Sequence, residues 1–106
     1  MIKLDLIDIN KVAIFGNSAG GLTAINSLYE SDLFKVAICK YPVLDLTEMH
    51  YKTHRFEKGY LNSLVGEYSK FRNDYRLRSP INKINEIKKP MLLFHGKEDL
   101  VISYKQ

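Results

Sequence analysis

The chain has 106 residues, 45% of them apolar and 26% charged, which is apolar material enough for a packed core and excludes a disordered chain. Sixteen basic against twelve acidic residues give a net charge of +4, scattered except around Arg72, Arg76, Arg78 and Lys88-Lys89, so no nucleic-acid partner is expected. No apolar run is long enough to span a membrane, no secretory leader is recognisable, and a single cysteine, Cys39, excludes an internal disulfide and suits a reducing, cytoplasmic setting.

Three short apolar runs read as strands: Val12-Ala13-Ile14-Phe15, Val36-Ala37-Ile38-Cys39 and Met91-Leu92-Leu93-Phe94. None alternates polar with apolar residues, the pattern of strands covered on both faces in a parallel sheet, and strands are expected near 11–15, 35–39 and 91–94. Between the first two, Leu22, Ile25, Leu28 and Tyr29 fall on one helical face behind Gly20-Gly21, which completes a β-α-β unit. The segment 41–78 is polar and rich in Tyr, His, Arg and Lys; helical pieces are expected around 46–54 and 67–75. Ser79-Pro80 reads as a helix cap followed by a first-turn proline. Ile81, Ile84 and Ile87 then repeat every three residues, Lys88-Lys89 suits a helix C-terminus, and Pro90 ends the turn before the third strand. The fold class is α/β. Cys39, inside the second apolar run, is read as a buried small hydrophobe.

Directly after the first strand comes Gly16-Asn17-Ser18-Ala19-Gly20, a G-x-S-x-G match in the order strand, sharp turn, helix. In that setting Ser18 takes a strained backbone conformation that projects its hydroxyl from the sheet end. Gly16 and Gly20 are expected to leave room where strand and helix close up. The Ala19 N–H, at the helix N-terminus, is placed to donate to the oxyanion of a tetrahedral intermediate. The competing reading, a nucleotide-binding loop, lacks the Lys-Ser/Thr of a Walker loop and the G-x-G-x-x-G spacing, so no cofactor is expected.

A serine nucleophile needs a base, and the base needs a carboxylate to hold it. In this fold the acid follows the serine and lies just past a strand end. Asp99, in His95-Gly96-Lys97-Glu98-Asp99-Leu100-Val101 beyond the third apolar run, is the natural candidate; Glu98 adjoins it, and Asp45, past the second run, is the alternative. Histidines occur only at 50, 54 and 95, all before Asp99, so the triad base is absent from its usual place. His95 reads as a hydrogen-bonded packing residue. His50 and His54 have zinc-ligand spacing, but Tyr51 rather than Glu follows His50 and no third ligand is evident, so no metal is expected.

The run from Lys11 to Gly21 resembles the serine elbow of the prolyl oligopeptidase family of serine peptidases. Phe34 to Asp45, with Tyr41-Pro42-Val43, is similar to the strand and loop that follow. Thr53-His54-Arg55-Phe56-Glu57, Tyr60-Leu61 and Arg78-Ser79-Pro80-Ile81 resemble the acylaminoacyl-peptidase and dipeptidyl-aminopeptidase branch. The resemblance implies a partial α/β-hydrolase catalytic domain over residues 1–106, with Ser18 as nucleophile, Asp99 as triad acid and a peptide substrate. It also implies truncation: the strands before the elbow, with the second oxyanion donor, and the histidine segment after Asp99 are missing. Remaining segments of the same hydrolase, or a second copy, are then the expected partners, and the chain alone is expected to be inactive. An esterase or lipase, which G-x-S-x-G alone does not separate from a peptidase, and an inactive remnant are the alternatives.

Overall fold

The computed structural model describes residues 6–52 and 55–106. Strands β1 (Ala13–Asn17), β2 (Val36–Lys40) and β3 (Met91–Phe94) form a parallel sheet in the order β1-β2-β3, and helix α1 (Ala19–Glu30) links the first two. The architecture is the expected α/β one, with β1 and β2 ending one or two residues later than the apolar runs suggest. Three further helices, α2 (Leu46–Lys52), α3 (Arg55–Leu64) and α4 (Tyr68–Arg78), fill the polar segment before β3. Of these, α3 is new. Its signal, Tyr60, Leu61 and Leu64 at helical spacing, is interrupted by Gly59, a poor helix former.

Two apolar clusters hold the chain together. In the first, α1 lies on the sheet and buries Ala24, Ile25 and Leu28 against Ala37 and Cys39 of β2. Its buried stripe is Gly21, Ala24, Ile25 and Leu28, a clean i, i+3, i+4, i+7 series. Small residues complete that stripe, so a reading by large apolar side chains misplaces its centre. Leu22 instead joins the second cluster, and Tyr29 stays exposed with its hydroxyl donating to Glu86 at 2.8 Å. The second cluster gathers Val43, Leu46, Leu61, Tyr75 and Ile102 from the β2–α2 loop, the three helices and the C-terminal loop. Tyr75 is fully buried, and its hydroxyl donates to the Gly66 carbonyl at 2.9 Å, satisfying the one polar atom that burial would strand.

Among the described residues only one face of the sheet is covered. Ala37 and Cys39 face α1 and are fully buried, whereas Phe15, Leu92 and Phe94, on the opposite face, are 55%, 50% and 50% exposed. Phe15 is registered with Ile38 and Ile38 with Leu92, so these form one apolar row across the strands. The unbroken apolar runs announce two covers, and the described residues supply one of them.

The caps act on other elements than the adjacent ones. The isoleucine spacing of three belongs to two 3-10 turns, Pro80–Asn82 and Ile84–Glu86, rather than an α-helix, as a three-residue period requires. Ser79 makes no cap for them. Fully buried, its Oγ accepts the Leu46 N–H at 2.9 Å, at the start of α2, and donates to the Tyr75 carbonyl at 2.6 Å. Lys89 likewise reaches back to the end of α1, donating to the carbonyls of Leu28 and Ser31. No helix among the described residues is long and apolar enough to cross a membrane.

Candidate active site

Ser18 sits between the last residue of β1 and the first of α1 with φ 53° and ψ −121°, a conformation that costs a non-glycine residue about 1–3 kcal/mol. Four backbone hydrogen bonds hold it there. Its N–H donates to the Lys40 carbonyl at 3.1 Å, extending the β1–β2 ladder. Its carbonyl accepts the N–H groups of Gly21 (3.0 Å), Leu22 (3.3 Å) and Val43 (3.1 Å). At about 0.5–1.5 kcal/mol each, these outweigh the strain. The Ser18 side chain makes no cap bond to α1, which leaves the hydroxyl uncommitted to the helix. Ala19, as first helical residue, has an N–H with no acceptor inside the helix and the positive end of the dipole behind it.

The close approach of strand and helix depends on one of the two motif glycines, Gly16, and on Gly21 beyond the motif. A Cβ at Gly16 would lie 2.1 Å from the Gly20 carbonyl oxygen and 2.4 Å from its carbon, so no side chain fits. At Gly21 a Cβ would meet Pro42 at 2.6 Å. At Gly20 it would meet nothing within 4 Å, so the expectation that Gly20 also makes room is corrected: its backbone carbonyl, not its missing side chain, faces Gly16. The second position that needs a glycine is Gly21, where α1 crosses the β2–α2 loop.

In front of Ser18 lies a cavity of about 440 Å³ bounded by Leu22, Val43, Leu46, Leu61 and Leu64, with Arg78 as its cationic member. A similar hollow around Tyr68, Arg72, Arg76 and Asn82 contains no serine, cysteine or histidine. Tyr60, Leu61 and Arg78 were legible in the sequence as family-like positions; that they line one cavity with Ser18 needs α3 and α4 in place.

Asp99 lies in the loop past β3. Because the strands are parallel, that loop and the Ser18 turn leave the same C-terminal edge of the sheet, with β2 between them. Asp99 Oδ1 accepts the N–H groups of Val101 and Ile102, both at 2.9 Å, and Oδ2 is 3.6 Å from His95 Nε2. The Ile102 N–H above all, then that of Val101 and the nearby imidazole, hold the carboxyl below its ordinary range against the opposing effect of burial. Glu98 beside it is exposed. Asp45, the alternative acid, serves the first turn of α2, its Oδ1 accepting the Glu48 N–H at 3.0 Å.

The histidines have other tasks. His95 Nε2 is 2.7 Å from the Ile102 carbonyl, which fixes that nitrogen as the donor, as expected of a packing residue. His50 stacks on Tyr68 with ring centroids 4.2 Å apart, and His54 lies outside the described residues. No group of three metal-ligating side chains occurs among the described residues. Cys39 is buried with its thiol directed at the Gly21 carbonyl (3.8 Å), and burial pushes the thiol pKa up, so the thiol stays protonated.

The family model for the prolyl oligopeptidase family matches residues 1–106. Among solved structures, a puromycin hydrolase is 36% identical with a TM-score of 0.90, covering 97% of this chain and 16% of its own. A puromycin-hydrolyzing peptidase of Mycobacterium tuberculosis is 33% identical with a TM-score of 0.92, over 99% of this chain and 16% of its own. An acylaminoacyl peptidase of Pyrococcus horikoshii, at 24% identity and a TM-score of 0.86 over 99% of this chain and 17% of its own, shares the fold. The chain thus spans about a sixth of the length of these proteins.

Proposed function

We propose, from the premise that the chain belongs to the prolyl oligopeptidase family, that it is the nucleophile-bearing segment of a serine peptidase. In this reading Ser18 attacks the scissile carbonyl of a short or N-blocked peptide, and the Ala19 N–H stabilises the resulting oxyanion. Asp99 holds the histidine that takes the Ser18 proton and later returns it to the leaving amine. The observation that carries the proposal is the strained Ser18, fixed by four backbone hydrogen bonds at the mouth of an apolar cavity and at a helix N-terminus. That arrangement maintains strain at a serine lining the cavity and has no evident structural use. The apolar walls suit the side chain of an acyl group, and the similarity to two puromycin-hydrolysing proteins favours amide over ester bonds.

The base comes, on this reading, from polypeptide beyond the described residues, among which His95 is committed to Ile102 and His50 to an aromatic stack. The open sheet face then belongs against the remaining segments of the hydrolase, with self-association as its substitute when they are absent. The chain alone turns over little, because loss of a triad base costs on the order of 10⁶ in turnover. Labelling with a fluorophosphonate probe tests the proposal, on the 106-residue chain and on one extended through the flanking parts of a catalytic domain. Labelling of the extended form that disappears in Ser18→Ala and weakens strongly in Asp99→Asn is expected. An extended form that folds and does not label would overturn the peptidase reading, and strong Ser18-dependent labelling of the short chain would move the base back among its own histidines.

A further inference from the structure

The loop between β2 and α2 is held in an unusual way. Four consecutive backbone N–H groups, those of residues 43–46, each find an acceptor far away in sequence. The Val43 N–H donates to the Ser18 carbonyl at 3.1 Å, and the Leu46 N–H donates to Ser79 Oγ at 2.9 Å. Those of Leu44 and Asp45 both donate to one atom, Gln106 Oε1, at 3.0 and 2.9 Å. The amide nitrogen of Gln106 donates in turn to the Ser103 carbonyl at 3.0 Å. Both polar atoms of this side chain are therefore engaged, and both lone pairs of its oxygen are used.

We propose that Gln106 is a positioning residue for the candidate triad, tying the loop that presents Asp99 to the loop that holds the Ser18 carbonyl. The inference rests on the reading of Ser18 as nucleophile and Asp99 as acid. The connection can be traced bond by bond. Asp99 is anchored to the N–H groups of Val101 and Ile102. Ile102 is buried in one cluster with Val43 and Leu46, and its carbonyl bonds to His95. Ser103, next in the chain, is joined to Gln106, and Gln106 to Leu44 and Asp45, one residue from the N–H that holds Ser18. Residues 95–106 contain no helix or strand, so nothing regular fixes their distance from the elbow. Apolar contact at Ile102 brings the two loops together but is tolerant of sliding. Two charge-free hydrogen bonds to a single oxygen set the register, because the consecutive N–H groups of Leu44 and Asp45 cannot both satisfy it from a shifted position.

The test needs no turnover. In the 106-residue chain, the Asp99 carboxyl is titrated by carbon-13 NMR and amide exchange is followed at Leu44 and Asp45, with Ala37 and Cys39 of β2 as reference, in the parent, in Gln106→Met and in Gln106→Glu. His95, whose Nε2 lies 3.6 Å from Asp99 Oδ2, is the ionisable neighbour in this loop, so its resonances are followed in the same spectra. With the clamp removed in Gln106→Met, Asp99 is expected to titrate closer to the ordinary carboxylate range. Protection at Leu44 and Asp45 should fall on the order of tenfold or more while the β2 amides keep theirs. Gln106→Glu, which retains an acceptor for both N–H groups, should keep most of that protection. Unchanged Asp99 titration and unchanged Leu44 and Asp45 protection in Gln106→Met would overturn the proposal. So would equal loss at Ala37 and Cys39 in both variants, which would make Gln106 a general stabiliser of the fold. Absence of Ser18 labelling in the extended enzyme, with the NMR effects present, would remove the hydrolase reading and leave the tie between the loops.

Discussion

One strand, β2, borders two different surfaces. On one face Ala37 and Cys39 lie sealed beneath α1; on the other, Val36 and Ile38 are half-buried, and Ile38 lies in a row with Phe15 and Leu92, both at least half exposed. The residue types are equally apolar on the two faces, so composition does not separate them. What separates them is where the cover comes from. Helix α1 begins one residue after Ser18 and is folded onto its face by the elbow itself, through local chain geometry. The opposite face has no such cover among the described residues. The elbow half of the site is accordingly shaped by local chain geometry and pinned by two longer-range bonds, to the Lys40 carbonyl and from the Val43 N–H.

The largest effect that could break this comparison is at the elbow. Gly16→Ala puts a Cβ into the Gly20 carbonyl and is expected to cost on the order of 4 kcal/mol by urea denaturation. Gly20→Ala, with open space around it, should be neutral or gain up to about 1 kcal/mol from helix propensity. Similar losses from both would show that the strand–helix contact is looser than the structure has it.

The two faces are compared directly by truncating one leucine on each. Leu28→Ala, at a fully buried position beneath α1, should lose about 2–5 kcal/mol. Leu92→Ala on the open face should lose under about 1 kcal/mol in this chain, because half of that side chain is already in water. In a longer polypeptide that supplies the second cover, the Leu92 cost should rise toward that of Leu28. A large loss for Leu92→Ala in the short chain would mean that the face is already covered, by a second copy. Sedimentation of the Leu92→Lys variant sharpens the same point: placing a charge in the Phe15–Ile38–Leu92 row should lower concentration-dependent association without lowering helix content by circular dichroism.

The smallest expected effect is that of pH. Asp99 is held below its ordinary range in the folded chain, so between its folded and unfolded values the unfolded chain binds more protons. Its contribution is therefore complete above the ordinary carboxylate range and is lost as pH falls through the folded value. Asp99→Asn should flatten the acid side of a stability–pH profile while leaving the neutral side parallel to the parent. An unchanged acid limb would mean that the Val101 and Ile102 N–H groups do not hold the carboxylate in solution.

Local chemistry set much of this fold. Apolar runs and glycines specify three strands and an elbow from nearest-neighbour sterics and helix periodicity, because each depends on residues within about one turn of one another. The turn at Asp99 is equally local, its carboxylate accepting the N–H groups two and three residues on. Only the tertiary structure assigned the capping groups. Ser79 looks like a cap for its own turn and serves α2, Lys89 looks like the end of its own helix and serves α1, and Gln106 carries no sequence signal at all yet holds two N–H groups about sixty residues upstream. A hydrogen-bonding side chain is selected by whichever unpaired backbone group the packed chain brings within reach, and sequence spacing does not encode that distance. The buried centre of α1 was decided in the same manner. Gly21 and Ala24 are small because Pro42 and the sheet press on them, a pressure that exists once the elements have docked.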